Sequence, residues 1–343
     1  MVLLEKILHE SMSISNCDGG TLYICKDDML HFFLYRTISK DVLAGGVHEK
    51  LNLPPLKINE DSVAGYSAYH KKSINVSDVY NDENFDWSGP KKYDSITLTR
   101  LSVRDEEGEK TVGKPIGEYI TIDVPDIKYN TESYEKTCEM IAEEIKRMYS
   151  FNDDNVVLVV GLGNRDITPD ALGCEVVSKT IITNHMKKHA PELLGSGMRA
   201  VCAIAPGVLG TTGMESLEIT KGVSEKLEPD LIIVIDALAA ADFSRISTTF
   251  QLSDAGISPG SGVGNNRDAF TKEALGTKVI AIGVPTVVDA RSVCDCEKEG
   301  EPMMVTPRDI DLVIERCSKT VANGINLALH ESLTLKDIEE YVG

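Results

Sequence analysis

From about Leu98 onward the chain alternates short, almost wholly apolar runs with longer stretches in which apolar residues recur every three or four positions. The first kind reads as buried strand and the second as amphipathic helix. "GEYITIDVP", "NVVLVVGLGN", "RAVCAIAPG", "LIIVIDALAA" and "KVIAIGVPTVVD" are the expected strands, with "TTFQLSD" as an edge strand. "TESYEKTCEMIAEEIKRMYS" puts Tyr134, Cys138, Ile141, Ile145 and Met148 on one helical face. "PDALGCEVVSKTIITNHMKKH", "MESLEITKGVSEKLEPD" and "IDLVIERCSKTVANGINLALH" are the other expected helices. Strands that are apolar on both faces, alternating with helices, predict an α/β fold with a doubly wound, mostly parallel sheet covered on both sides. Residues 1–96 differ in character: strands at "GTLYIC" and "LHFFLYR", a Pro54-Pro55 pair and the only tryptophan, Trp87.

In such a sheet the loops at the carboxyl ends of the strands line the ligand crevice. Here these are Gly161 to Asp170, Ala205 to Glu215, Asp236 to Ala240, Asp254 to Arg267 and Pro285 to Asp289, each with at least one carboxylate. "LIIVID" carries Asp236 to the end of a fully apolar strand, where an ionised group is costly unless paired or used. Asp170 follows Thr168-Pro169, so capping of a first helical turn accounts for it as well as chemistry does. Two acids from neighbouring strand ends can share a proton, one acting as general acid while the other activates water. Asn164, Glu215, Asp254 and Asp289 are then expected to bind substrate or support the pair, with Glu215 approaching it most closely. Asp166 is expected to be a polar surface residue of the turn.

Other chemistries lack parts. "GLGNRD" has no third glycine for a dinucleotide fingerprint, "GVLGTTG" has the wrong spacing, and "GSGVGNN" lacks both a leading strand and the Lys-Ser/Thr of a phosphate loop, so no nucleotide cofactor is expected. There is no G-x-S-x-G elbow, His185, His189 and His330 fall on helix patterns, and Cys174 and Cys202 look like small core residues. A serine or cysteine nucleophile therefore has no general base. The eight cysteines show no repeated metal spacing, Cys294 and Cys296 forming only C-x-C, which predicts reduced thiols and no metal site. A formal charge of −19 disfavours nucleic acid as a direct ligand and suits a basic protein partner, although solubility alone explains it equally well. No apolar run nears the roughly 20 residues that span a bilayer. The N-terminal stretch carries acids through its apolar positions, unlike a signal peptide, and a cytoplasmic location is expected.

Taken in order, "GLGNRDITPDALG", "APGVLGTTGMES", "PDLIIVIDALAA", "TTFQLSDAGISPGSGVGNNR", "IAIGVPTVVDA" and "MMVTPRDID" resemble the spore germination proteases, over roughly Thr99 to His330. The resemblance implies a fold akin to the hydrogenase-maturation proteases (phosphorylase/hydrolase-like). It also implies an aspartic-type endopeptidase that begins the degradation of small acid-soluble spore proteins in the germinating spore core. It further implies a homotetramer made as a zymogen. The family's proposed catalytic aspartates, in T-P-D-A-L-G and I-D-A-L-A-A motifs, match Asp170 and Asp236. Upstream, Ser62 to Tyr66, Ile74 to Tyr80 and Phe85 to Asp94 resemble the first half of a GAF domain. The expected division is a partial GAF-like segment over 1–96 and a peptidase domain over 97–343. An R-T-D-L-A-like N-terminal motif of the family is missing, and Arg165-Asp166 and Ala241-Asp242 depart from its usual residues. Two other readings are a maturation-type protease that recognises a metal at its substrate's C-terminus, and a non-catalytic sensor fusion with a disabled protease domain.

Overall fold

The computed structural model describes residues 2–15, 17–38, 42–45, 55–59, 63–73, 91–93, 96–127, 130–260, 267–290 and 303–342. The chain divides into two units, Met1–Ser88 and Gly89–Gly343.

In the first unit, helix α1 (Val2–Ser15) is followed by the hairpin of β1 (Gly19–Lys26) and β2 (Met29–Thr37). Asp27 and Asp28 close it with both φ positive, at 53° and 56°, the turn whose twist matches the strands. Strands β3 (Val42–Gly45) and β4 (Leu56–Lys57) pair antiparallel with β2, and α2 spans Val63–His70. Leu8 and Met12 of α1 pack on Leu34. Of the GAF-like motifs, Val63 to Tyr66 lie in α2, while 74–80 and 85–90 lie outside the described residues.

The second unit is built on a nine-stranded sheet. Strands β5 (Lys91–Tyr93), β6 (Ile96–Val103) and β7 (Gly117–Asp123) form an antiparallel half, with the short helix α3 (Glu106–Val112) between the last two. Helix α4 (Thr131–Met148) leads to β8 (Val156–Gly161), and α5 (Leu172–Ser178) and α6 (Asn184–His189) lead to β9 (Ala200–Ile204). The turn α7 (Leu209–Thr212) and helix α8 (Ser216–Leu227) precede β10 (Leu231–Ala240). Then come β11 (Thr249–Ser253), α9 (Lys272–Leu275), β12 (Lys278–Asp289), β13 (Met304–Val305), α10 (Ile310–Leu329) and α11 (Leu335–Val342). Spatially the strands run β5-β6-β7-β11-β12-β10-β8-β9, with β13 on the far end of β12. The parallel half is β12, β10, β8 and β9; the rest is antiparallel, so the sheet is mixed.

Alternation along β8 and β10 explains why these strands read as unbroken apolar runs. Val157, Val159, Ile233 and Ile235 pack under α4, α5 and α10, whereas Leu158, Val160, Ile232 and Val234 pack against Phe270, Leu275 and α8. Each fully buried Ile or Val of these strands contributes about 1.5–3 kcal/mol relative to exposure. Helices α4 and α10 meet at Gly324, where a Cβ would stand 2.6 Å from Ile141 Cγ2. Buried Glu144 of α4 is held by Arg147 at 2.8 Å and by a two-point pairing with Arg100 of β6, and the guanidinium partners keep its carboxyl below the usual range despite burial.

Two expectations need correction. "TTFQLSD" is not an edge strand: β11 lies between β7 and β12, with Phe250 and Leu252 buried and the Thr249 hydroxyl satisfied by Asp123 Oδ1 at 2.6 Å. Its Thr, Gln and Ser look like solvent positions only until that partner is known. "PDALGCEVVSKTIITNHMKKH" is not one helix. It breaks between α5 and α6 because α10 takes over its backbone: Asn326 accepts from Ile181 N at 2.9 Å and donates to Lys179 O at 3.0 Å. The β-branched run from Thr180 to Thr183 offers little helix propensity to resist.

Candidate active site

The parallel half directs the ends of β8, β9, β10 and β12 to one edge, and the two candidate aspartates are there. Strand β8 continues one residue past its end, Leu162 N donating to Ile235 O of β10 at 2.8 Å. Gly163 then turns with φ 102°, a backbone state that suits glycine, and a Cβ on it would stand 2.0 Å from Asp170 O. Asn164 closes an Asx turn, its Oδ1 accepting from Asp166 N at 3.0 Å. Thr168 to Asp170 form a single 3-10 turn around Pro169, and α5 follows. The loop is thus wound tightly enough that Asn164 N donates to Asp170 Oδ2 at 2.8 Å.

Asp236 has the parity of Ile232 and Val234 along β10, on the face away from α10. It is 5 % exposed, and the one hydrogen bond its carboxyl accepts among the described residues comes from the next amide, Ala237 N, at 3.0 Å. No cation pairs with it among the described residues. Burial first, and then the negative charge of Asp170, raise its pKa to about 7. Burial also raises Asp170, against the lowering effect of the Asn164 amide. The charge of Asp170 acts on Asp236, and burial acts on the two carboxyls unequally.

The remaining residues singled out in the sequence are placed differently. Asn164 joins the site through its backbone amide and its Asx turn. Glu215 opens α8 and pairs with Arg267 at 3.1 Å. Asp254 follows β11, which runs antiparallel to β12, and its Oδ1 accepts from Glu118 N at the start of β7 at 2.7 Å. Asp289 ends β12, opposite Met304. His330 is buried at the end of α10, its Nε2 3.3 Å from Ile181 O, and burial lowers its pKa to about 4. Cys174 is buried with its thiol 3.6 Å from Gly163 O, whereas Cys202 is only half-buried. Of the loop 254–267, residues 261–266 lie outside the described set.

Sequence reasoning marked Gly161 as the start of the loop but passed over Gly173, whose backbone meets it beneath the loop. A Cβ at Gly161 would stand 2.0 Å from Gly173 O, and one at Gly173 would stand 2.4 Å from Leu162 O and 2.7 Å from Ile235 O. It also passed over Thr286 of β12, fully buried, whose hydroxyl donates to Pro169 O at 2.8 Å. The glycines are visible in the sequence as a pair flanking the motif; the threonine carries no local signal.

Comparison with known proteins decides the family. The sequence profile of the germination proteases matches residues 71–298, an interval that contains both aspartates. The chain belongs to the germination protease family. It is similar to the germination protease of Clostridium perfringens, 40 % identical over 73 % of this chain and 89 % of that one. The germination protease of Caldanaerobacter subterraneus is 42 % identical over 72 % and 89 %. That of Oceanobacillus iheyensis is 33 % identical over 78 % and 96 %. Among solved structures, a [NiFe] hydrogenase maturation protease, HycI from Thermococcus kodakarensis, aligns with 53 % of this chain and 98 % of its own, at 19 % identity and a TM-score of 0.31.

Proposed function

We propose that this germination protease family member is an aspartic-type endopeptidase whose acid and base are Asp236 and Asp170. The observation that carries the reading is the unequal pair: an almost fully buried carboxyl raised to about 7, and a less buried one, also raised by burial but held by the Asn164 amide. Ionised Asp170 takes a proton from water as the water oxygen bonds to the scissile carbonyl carbon, and Asp236 gives its proton to the carbonyl oxygen. Return of a proton to the amide nitrogen lets the C–N bond break, leaving a carboxylic acid and an amine and restoring the pair. The substrate is a small acid-soluble spore protein. Exposed Ile167, Leu209, Met214 and Phe243, on loops that follow β8, β9 and β10, offer apolar contacts to an extended polypeptide. Incubating the purified protein with such a spore protein and weighing the fragments tests the reading. Discrete internal cleavage supports it, and an intact substrate at equimolar enzyme refutes it.

The rate should be bell-shaped in pH. Above about 7 Asp236 loses its proton and no acid remains. Below the raised value of Asp170 both carboxyls are protonated and no base remains. Initial rates across pH 4–9 check this, and an activity still rising above pH 8 would contradict the assignment of the acid. Asp166→Asn should change the rate by less than about twofold, since that side chain is exposed; the same assay measures it.

A further inference from the structure

Strands β10 and β12 run in parallel register from Leu231/Lys278 to Leu238/Pro285, with Asp236 opposite Gly283. The register then slips: Ala239 faces Val287, so Thr286 has no counterpart on β10. A bulge of this kind re-aims the side chain of its extra residue, and Pro285, which has no amide hydrogen, is at home beside it. The re-aimed hydroxyl of Thr286 donates to Pro169 O at 2.8 Å. That carbonyl belongs to the peptide unit that leads into Asp170, and the N–H of the same unit donates to Ile167 O at 2.8 Å. Both ends of the unit are therefore fixed, one by its own turn and one by β12. The same strand that lies in register with Asp236 thus sets the turn carrying Asp170.

We propose that Thr286 is a positioning residue for peptide hydrolysis, its bulged hydroxyl holding the Pro169–Asp170 peptide so that Asp170 stays in reach of Asp236. It is fully buried. The hydrogen bond spans 117 positions of sequence, so no local feature of the T-P-D turn replaces it. The assignment rests on the two-carboxylate reading above.

Thr286→Val keeps the shape of the side chain and removes its donor, while Thr286→Ser keeps the donor. Cleavage of a small acid-soluble spore protein by both variants, followed across pH, gives the test. For Thr286→Val, kcat should fall about tenfold or more, as small displacements of catalytic groups do, with KM within about twofold. Its alkaline limb should also move to lower pH, because an Asp170 that drifts away no longer helps Asp236 hold its proton. Thr286→Ser should restore kcat to within about threefold of the parent and return the limb. Unchanged kcat in Thr286→Val overturns the proposal, and so does a loss of rate with the alkaline limb unmoved, which is what a purely structural role would produce. If Thr286→Val does not fold, Thr286→Cys, with a weak donor of similar size, is read by the same two measurements. Asp236→Asn separates the layers. Near-parental cleavage there removes the carboxylate reading and this one with it, whereas an inactive Asp236→Asn beside an unaffected Thr286→Val removes only the role of Thr286.

Discussion

Asp236→Asn should lose at least about a hundredfold in cleavage rate, the usual scale of general acid–base catalysis, while remaining folded. The amide has nearly the shape of the carboxyl and can accept the Ala237 N–H as before. It cannot, however, deliver a proton. Folding should be no worse, because the replaced group is a buried acid with one backbone hydrogen bond, and neutralising it removes a desolvation cost. Asp170→Asn should lose activity on the same scale: asparagine can still accept from Asn164 N but has no proton affinity to draw on water. Turnover of a spore-protein substrate, with circular dichroism to confirm folding, measures both. A folded Asp236→Asn with near-normal turnover would show that another group protonates the carbonyl oxygen.

The second large effect concerns stability. Gly161→Ala should destabilise the second unit by about 3 kcal/mol or more, at the upper end of what overpacking costs. The added carbon would stand 2.0 Å from Gly173 O, 2.4 Å from Gly173 C and 2.8 Å from Val177 Cγ2. Retreat is blocked, because Gly173 already lies so close to Leu162 and Ile235 that a Cβ of its own would meet their backbone atoms. The clash therefore has to be absorbed by moving α5 off the sheet, and with it the turn that ends at Asp170. Gly222→Ala is the matched control: nothing lies within 4 Å of a Cβ there, and the position is inside α8. It should be neutral or stabilise by about 0.5–1 kcal/mol through helix propensity. Thermal unfolding of the three proteins reads both effects, and equal melting points for Gly161→Ala and the parent would overturn the packing argument.

How much of this was legible beforehand differs by element. The four parallel strands and helices α4, α8 and α10 stand close to where periodicity put them, because each is long enough for its burial pattern to repeat. The break between α5 and α6 was not, since the groups that cause it come from Asn326, far along the chain. The inner position of β11 was hidden for the same reason: five residues with three polar side chains look like an edge until Asp123 is placed against Thr249. At the candidate site, Asp236 was visible as an acid directly after an apolar run, and Asp170 as an acid in the loop after another. Glu215 and Asp254 carry the same outward sign, yet the structure gives them to Arg267 and to the backbone of β7.

By itself, then, the sequence determined which segments are buried strands, that Asp236 follows a fully apolar run in one of them, and that Gly161 and Gly163 open the loop before Asp170. These follow from local chemistry: hydrophobic period, desolvation of an acid, and the φ that only glycine adopts without strain. Tertiary structure alone decided that β12 bulges at Thr286, that its hydroxyl reaches Pro169, and that one carboxyl feels the charge of the other. Those depend on the register of strands far apart in the chain and on the dielectric between groups brought together by folding, and neither quantity is a property of any short stretch of residues.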